Sequence, residues 1–211
     1  MKKRLIKTAL ATTLLLSAVL GNGSLTDAAS STQKATTSAT VMTDNLFKFG
    51  LKKEMDLPVT VSAGGLSYTL HKIMIYDFNS SDAKSLRKKY EYLDTTGSLT
   101  NPKYFIWTKI TITNNSQKTV QQNYRDLDSK WRLSFDDSRN KGEGQMPRPI
   151  AKKYEDNSKE ALFNYILKPG ESLTTYQALY YQGDFKYFKI FLKNNEAASN
   201  KYLANDPEGN N

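Results

Sequence analysis

The chain has 211 residues, with 30 Lys+Arg against 21 Asp+Glu, a net charge of +9 with its single histidine neutral, and no cysteine. Without cysteine there are no disulfides, no thiolate metal sites and no cysteine nucleophile. One histidine excludes metal sites built on two or three of them, and no Gly-x-Ser-x-Gly run is present to raise a serine nucleophile.

Residues 1–7 are basic (Met-Lys-Lys-Arg-Leu-Ile-Lys) and residues 8–20 are uncharged and mostly apolar, until Gly21, Asn22, Gly23 and Ser24 intervene. That order predicts a signal peptide over 1–29, cut somewhere between Ser24 and Ser30. The apolar stretch falls short of the ~20 residues a bilayer span needs, so no transmembrane segment is expected after cleavage. The expected location is therefore secreted, extracellular or loosely associated with the cell wall. Leaving out residues 1–30, 26 bases against 20 acids keep the charge at +6. A field of that sign suits an anionic cell-wall polymer, whereas charges interspersed rather than blocked argue against nucleic acid as a partner. Another exported protein is the alternative partner, and the chain is expected to be a monomer.

Residues 30–45 form a Ser/Thr-rich stretch with too few large apolar side chains to offset the entropy of ordering it, and are expected to be a linker. A single domain is expected over 46–193, and 194–211, rich in Asn, Ala, Asp and Gly, is expected to be a disordered polar tail. Within the domain the alternation is that of strands. In 66–78, Leu66, Tyr68 and Leu70 share one parity and Ile73 and Ile75 the other, so a bulge at His71 or Lys72 is needed to keep one face on the core. Residues 82–93 read as a helix capped by Ser81, with Ala83, Leu86, Tyr90 and Leu93 inward and Arg87, Lys88 and Lys89 outward. Ile106, Ile110 and Ile112 alternate with Lys109, Thr111 and Thr113; Trp131, Leu133 and Phe135 alternate with Arg132 and Ser134; Phe188, Ile190 and Leu192 alternate with Lys189 and Lys193. Gly64-Gly65, Asn114-Asn115-Ser116 and Pro169-Gly170 supply turns between them. Residues 140–157 have no period and are expected to be a long loop.

Phe49-Gly50-Leu51, the run from Val59 to Leu70, the run from Tyr104 to Ser116 ending in Asn-Asn-Ser, and Leu167-Lys-Pro-Gly-Glu-Ser172 carry a resemblance. Over about 47–193 the chain resembles a family of exported bacterial domains of unknown function that share the immunoglobulin-like sandwich of the immunoprotective extracellular protein. The resemblance implies a mainly β protein, an immunoglobulin-like antiparallel β-sandwich with one inserted helix, and it brings no catalytic residues and no cofactor.

Few residues point to chemistry. His71 sits inside a strand and is expected to be structural. Asp136 and Asp137 lie in a spacing that misplaces the glycine of a calcium-binding loop and lacks its distal glutamate, so a solvated hairpin is expected and no metal. Aromatic residues are the stronger signal. Phe105 and Trp107 have the parity opposite to the isoleucines of their strand, and Tyr180 and Tyr181 are adjacent, so the four are candidates for an exposed binding surface unless the 82–93 helix packs over it. The expected function is a non-catalytic binding or accessory module at or near the cell envelope. Its alternatives are an inhibitor or immunity-type partner of another exported protein, using the 140–157 loop, and a secreted hydrolase built on carboxylates.

Overall fold

The computed structural model describes residues 41–96, 99–126, 129–138, 142–150 and 155–209. The signal peptide expected over 1–29, its cleavage point and the linker up to residue 40 lie outside these residues. Four strands form the main sheet: β1 (Val59–Ala63), β2 (Leu66–Asp77), β3 (Tyr104–Asn114) and β7 (Ser172–Tyr181), antiparallel throughout in the order β1-β2-β3-β7. Opposite it stands a second antiparallel sheet of β5 (Trp131–Ser134), β8 (Phe188–Asn194) and β9 (Ala197–Ala204), with β8 central. The short strands β4 (Val120–Gln122) and β6 (Tyr165–Leu167) pair with each other. The described residues form an antiparallel β-sandwich with one α-helix.

Alternation builds the core as expected. Leu66, Tyr68 and Leu70, then Ile73 and Ile75, face it together with Ile106, Ile110 and Ile112, and meet Leu133, Phe135, Ile190 and Leu192 from the second sheet. The parity change in β2 is absorbed where the sequence demands it: the β2–β3 register shifts between Leu70 and Lys72, with His71 as the extra residue. The β1–β2 hairpin turns on Gly64 and Gly65, both at positive φ, and a Cβ on Gly64 would lie 2.0 Å from the Asn194 carbonyl oxygen of the β8–β9 turn. Only glycine fits there.

At the ends of the domain the structure departs from the sequence reading. Residues 197–204, expected in the polar tail, are β9. Asn195 and Glu196 turn the β8–β9 hairpin with φ of 47° and 65°, the left-handed pair of a tight two-residue turn. As an edge strand β9 is held by its main chain, and only Tyr202, Leu203 and Ala204 are buried, which is why it carries little hydrophobic signal. At the other end the linker expected over 30–45 closes too late. Asp44 bridges to Ile73, and the buried Asn45 carboxamide both donates to the Ile75 carbonyl and accepts its N–H, at 2.8 Å each.

The helix, α1, runs Ser81–Lys89, one residue earlier at its start and four shorter at its end than expected. Ser80, not Ser81, is the N-cap, its hydroxyl accepting from the Ala83 N–H at 3.3 Å. Termination comes from a Schellman turn without glycine: Glu91 takes φ 52°, its N–H bonds the Lys88 carbonyl, and the Tyr92 N–H bonds that of Arg87. Arg87 is a second correction. It is buried rather than outward, its guanidinium lying 3.7 Å from the Phe78 ring centroid, donating to the Phe78 carbonyl and paired at 3.0 Å with Asp94.

Candidate functional site

The four aromatic residues expected at an exposed surface are covered. Phe105, Trp107, Tyr180 and Tyr181 are 0%, 7%, 0% and 1% exposed. The parity argument holds for three of them: Phe105, Trp107 and Tyr180 do point away from the main core. There they form a second apolar cluster under Ala83 and Leu86 of α1 and under Tyr90, Tyr92, Leu99 and Phe163. Trp107 stacks on Tyr90 at 4.8 Å and on Tyr176 at 5.4 Å, and the Tyr180 hydroxyl donates to the Leu93 carbonyl at 2.7 Å. Tyr181 faces the other way, into the main core against Phe135 and Phe185, and donates to the Asp184 carbonyl at 2.8 Å and to Asp136 at 3.2 Å. Burial raises the pKa of all three tyrosines Tyr92, Tyr180 and Tyr181, so they stay neutral. The Asp136 hairpin is likewise less wet than expected: Asp136 is buried and accepts from the Ser138 N–H, although Asp137 is exposed. Among the described residues no group of three or more His, Cys, Asp or Glu side chains is placed to hold a metal ion. None of the described helices is long and apolar enough to cross a membrane.

A concave site does exist, at the open seam of the sandwich. β5 is an edge of the second sheet and β7 an edge of the first. Residues 142–145 bridge them: the Gly144 N–H bonds the Leu133 carbonyl, while Gln145 exchanges both backbone bonds with Tyr180 at 2.9 and 2.7 Å. Below that bridge lies a groove of about 760 Å³, floored by Gln177, Leu179, Leu162, Trp131 and Tyr165. Its rim carries Arg125, Arg132 and Arg148 beside Asp126 and Glu143.

The floor has a defined hydrogen-bond polarity. Gln177 is 2% exposed. An indole N–H can only donate, so the 3.1 Å contact from Trp131 Nε1 fixes which end of the Gln177 carboxamide is oxygen, with Tyr68 Oη a weaker second donor at 3.5 Å. The Gln177 Nε2 is thereby left as a donor on the groove side, with no partner among the described residues. The same sense recurs in Gln122, whose Oε1 accepts from the Lys130 N–H and from Tyr165 Oη at 3.2 and 3.4 Å, and in Gln145, whose Oε1 accepts from Thr96 at 2.9 Å. The carboxamide oxygens of the three glutamines lining the groove are thus used by the protein itself. Of the rim acids, Glu143 pairs with Arg132 at 3.5 Å and Asp126 accepts the Asn123 N–H at 2.7 Å. Arg125 lies over Tyr124 and donates to its hydroxyl, while the Arg148 side chain has no ion-pair partner among the described residues.

The groove was not apparent from the sequence because Gln177 sits on a strand of buried parity, where a glutamine reads as an interruption. Trp131 carried the nearest signal, an inward tryptophan that must find an acceptor for its N–H.

No family model matches the chain, and no curated protein matches it. Among solved structures it is similar to the yjhA protein from Bacillus subtilis, at 15% identity over 64% of this chain and 76% of that one, with a TM-score of 0.37. It is also similar to a functionally unknown protein from Listeria monocytogenes EGD-e, at 12% identity over 69% of this chain and 80% of that one, with a TM-score of 0.39.

Proposed function

We propose that the chain is a secreted, non-catalytic binding module working at or near the cell envelope, with its ligand held in the groove between β5 and β7. The observation that carries this reading is Gln177: a carboxamide 98% removed from solvent, its acceptor spent on Trp131 and its donor turned to a concave space. That donor stays accessible from the groove, where an acceptor on a ligand can complete it. Arg148 and Arg125 on the rim add charge-assisted donors, so the fitting ligand is rich in acceptors, as wall glycans and acidic polymers are. Each rim carboxylate has one oxygen engaged by a protein donor, Asp126 by the Asn123 N–H and Glu143 by Arg132, which supports binding over hydrolysis. The resemblance to exported immunoglobulin-like domains agrees with this reading.

A second reading, an inhibitor or immunity-type partner of an exported protein, is favoured by one observation. Leu93 and Ile150, 40% and 61% exposed, stand diagonally on one face of a short antiparallel pairing, in which the Leu93 N–H bonds the Arg148 carbonyl and the Ile150 N–H that of Glu91.

The two tryptophans allow a direct test. Trp107→Phe leaves Trp131 as the only indole, and its emission is expected to change on titration with a soluble digest of bacterial cell wall. Arg148→Gln should weaken that response by about tenfold, the loss of one charge-assisted contact. Unchanged Trp131 emission across the titration would refute the groove as the ligand seat.

A further inference from the structure

The face of the main sheet that carries the second apolar cluster is covered only in part. Beyond Trp107 the same face of β3 presents Lys109, Thr111 and Thr113. Opposite Lys109 the β2 bulge sets both His71 and Lys72, and on β7 its partner is Tyr176. Two rows of hydroxyls follow. One joins Thr60 to Thr69 and Thr111 to Thr174, each at 2.8 Å, with His71 Nε2 2.8 Å from the Thr111 hydroxyl. The other joins Ser62 to Ser67 at 2.8 Å and Thr113 to Ser172 at 2.9 Å.

Lys72 and Lys109 are directly opposed, and like charges in that position destabilise a sheet. Among the described residues neither has a carboxylate within ion-pair distance. The field of Lys109 reaches His71, whose pKa is lowered first by burial and then by that lysine. The result is an uncompensated cationic pair beside a shelf of hydroxyl pairs, borne by strands ~4.8 Å apart and repeating every ~6.7 Å along them.

We propose that this half-face binds a linear phosphodiester polymer of polyols, with its phosphates on Lys72 and Lys109 and its hydroxyls on the Thr/Ser rows. Charge complementarity selects the occupant: the anionic links recur along an extended chain, and the hydroxyl rows both donate and accept, as a polyol backbone does. An extended polymer suits a surface whose hydroxyls run in rows across four paired strands. The surface is independent of the groove, because side chains alternate along β7 and Tyr176 faces the shelf while Gln177 faces the groove.

The single histidine makes the test local. Poly(glycerol phosphate) added to untagged mature protein is expected to raise the His71 pKa followed by NMR, since phosphates offset the field of Lys109, with affinity falling as salt is added. Lys72→Gln/Lys109→Gln should lose about tenfold in affinity, whereas the charge-matched Lys193→Gln/Lys201→Gln on the second sheet should bind like the parent. The first double variant should melt no lower than the parent, because it relieves the opposed charges; a lower melting temperature would contradict that premise. Equal losses in the two double variants, an unmoved His71 pKa, or equally tight binding of polyglutamate of the same length would overturn the proposal.

Discussion

Within one strand and on one face, β3 passes from Phe105 and Trp107, sealed under α1, Tyr90, Tyr92 and Leu99, to Lys109, Thr111 and Thr113, which are partly exposed. Backbone geometry is the same in both halves. What differs is the covering layer, and the side chains match it: rings of large apolar area where a third layer packs, β-branched hydroxyls and a lysine where none does. Orientation follows from alternation, but whether an outward ring is a binding surface or a second core depends on a segment about 15 residues earlier in the chain. The groove repeats the lesson, since Gln177 and Leu179 line it from the inner face of an edge strand.

The contrast can be broken first at its strongest point. Trp107→Ala removes a ring stacked on both Tyr90 and Tyr176, and is expected to cost ~3–5 kcal/mol in urea unfolding, as for a large aromatic taken from a core. Thr111→Ala, two positions from Lys109 on the open half, should cost under ~1 kcal/mol. Equal losses would mean that the two halves are not energetically distinct.

The covering layer itself is pinned by Arg87. Arg87→Ala leaves the Phe78 carbonyl without its buried donor and strips the cation from the Phe78 ring, for an expected loss of ~2 kcal/mol. Tm should fall while the far-UV spectrum of the sheets is kept. A variant as stable as the parent would show that α1 is held by Ala83 and Leu86 alone.

One expected change has the opposite sign. Tyr92 Oη is buried with no hydrogen-bond partner among the described residues, and burial raises its pKa. Tyr92→Phe removes an unsatisfied hydroxyl and keeps the ring contacts with Trp107 and Phe163, so a gain of ~1 kcal/mol is expected. A loss by chemical denaturation would point to a partner for that hydroxyl.

Much of the fold was legible in residues. Period-2 alternation located β2, β3, β5 and β8, and the conflict between Leu70 and Ile73 located the bulge to His71 or Lys72, of which the structure selects His71. What escaped had physical reasons. β9 is an edge strand held by backbone bonds, the helix ends on a left-handed glutamate where glycine is the usual signal, and Arg87 is buried because a ring and a carbonyl receive it. The candidate site escaped for a different reason: a groove between two sheet edges is made by residues far apart in sequence, and the sense of the Gln177 amide depends on an indole 46 positions away.

The central claim, that the groove is the ligand seat, is tested most directly at that amide. In a ¹⁵N-labelled sample titrated with a soluble cell-wall digest, the Gln177 side-chain NH₂ resonances and the Trp131 indole resonance are expected to shift together and saturate, while the Trp107 indole, sealed in the second cluster, stays in place. Binding of the digest with both groove resonances unmoved would contradict the account.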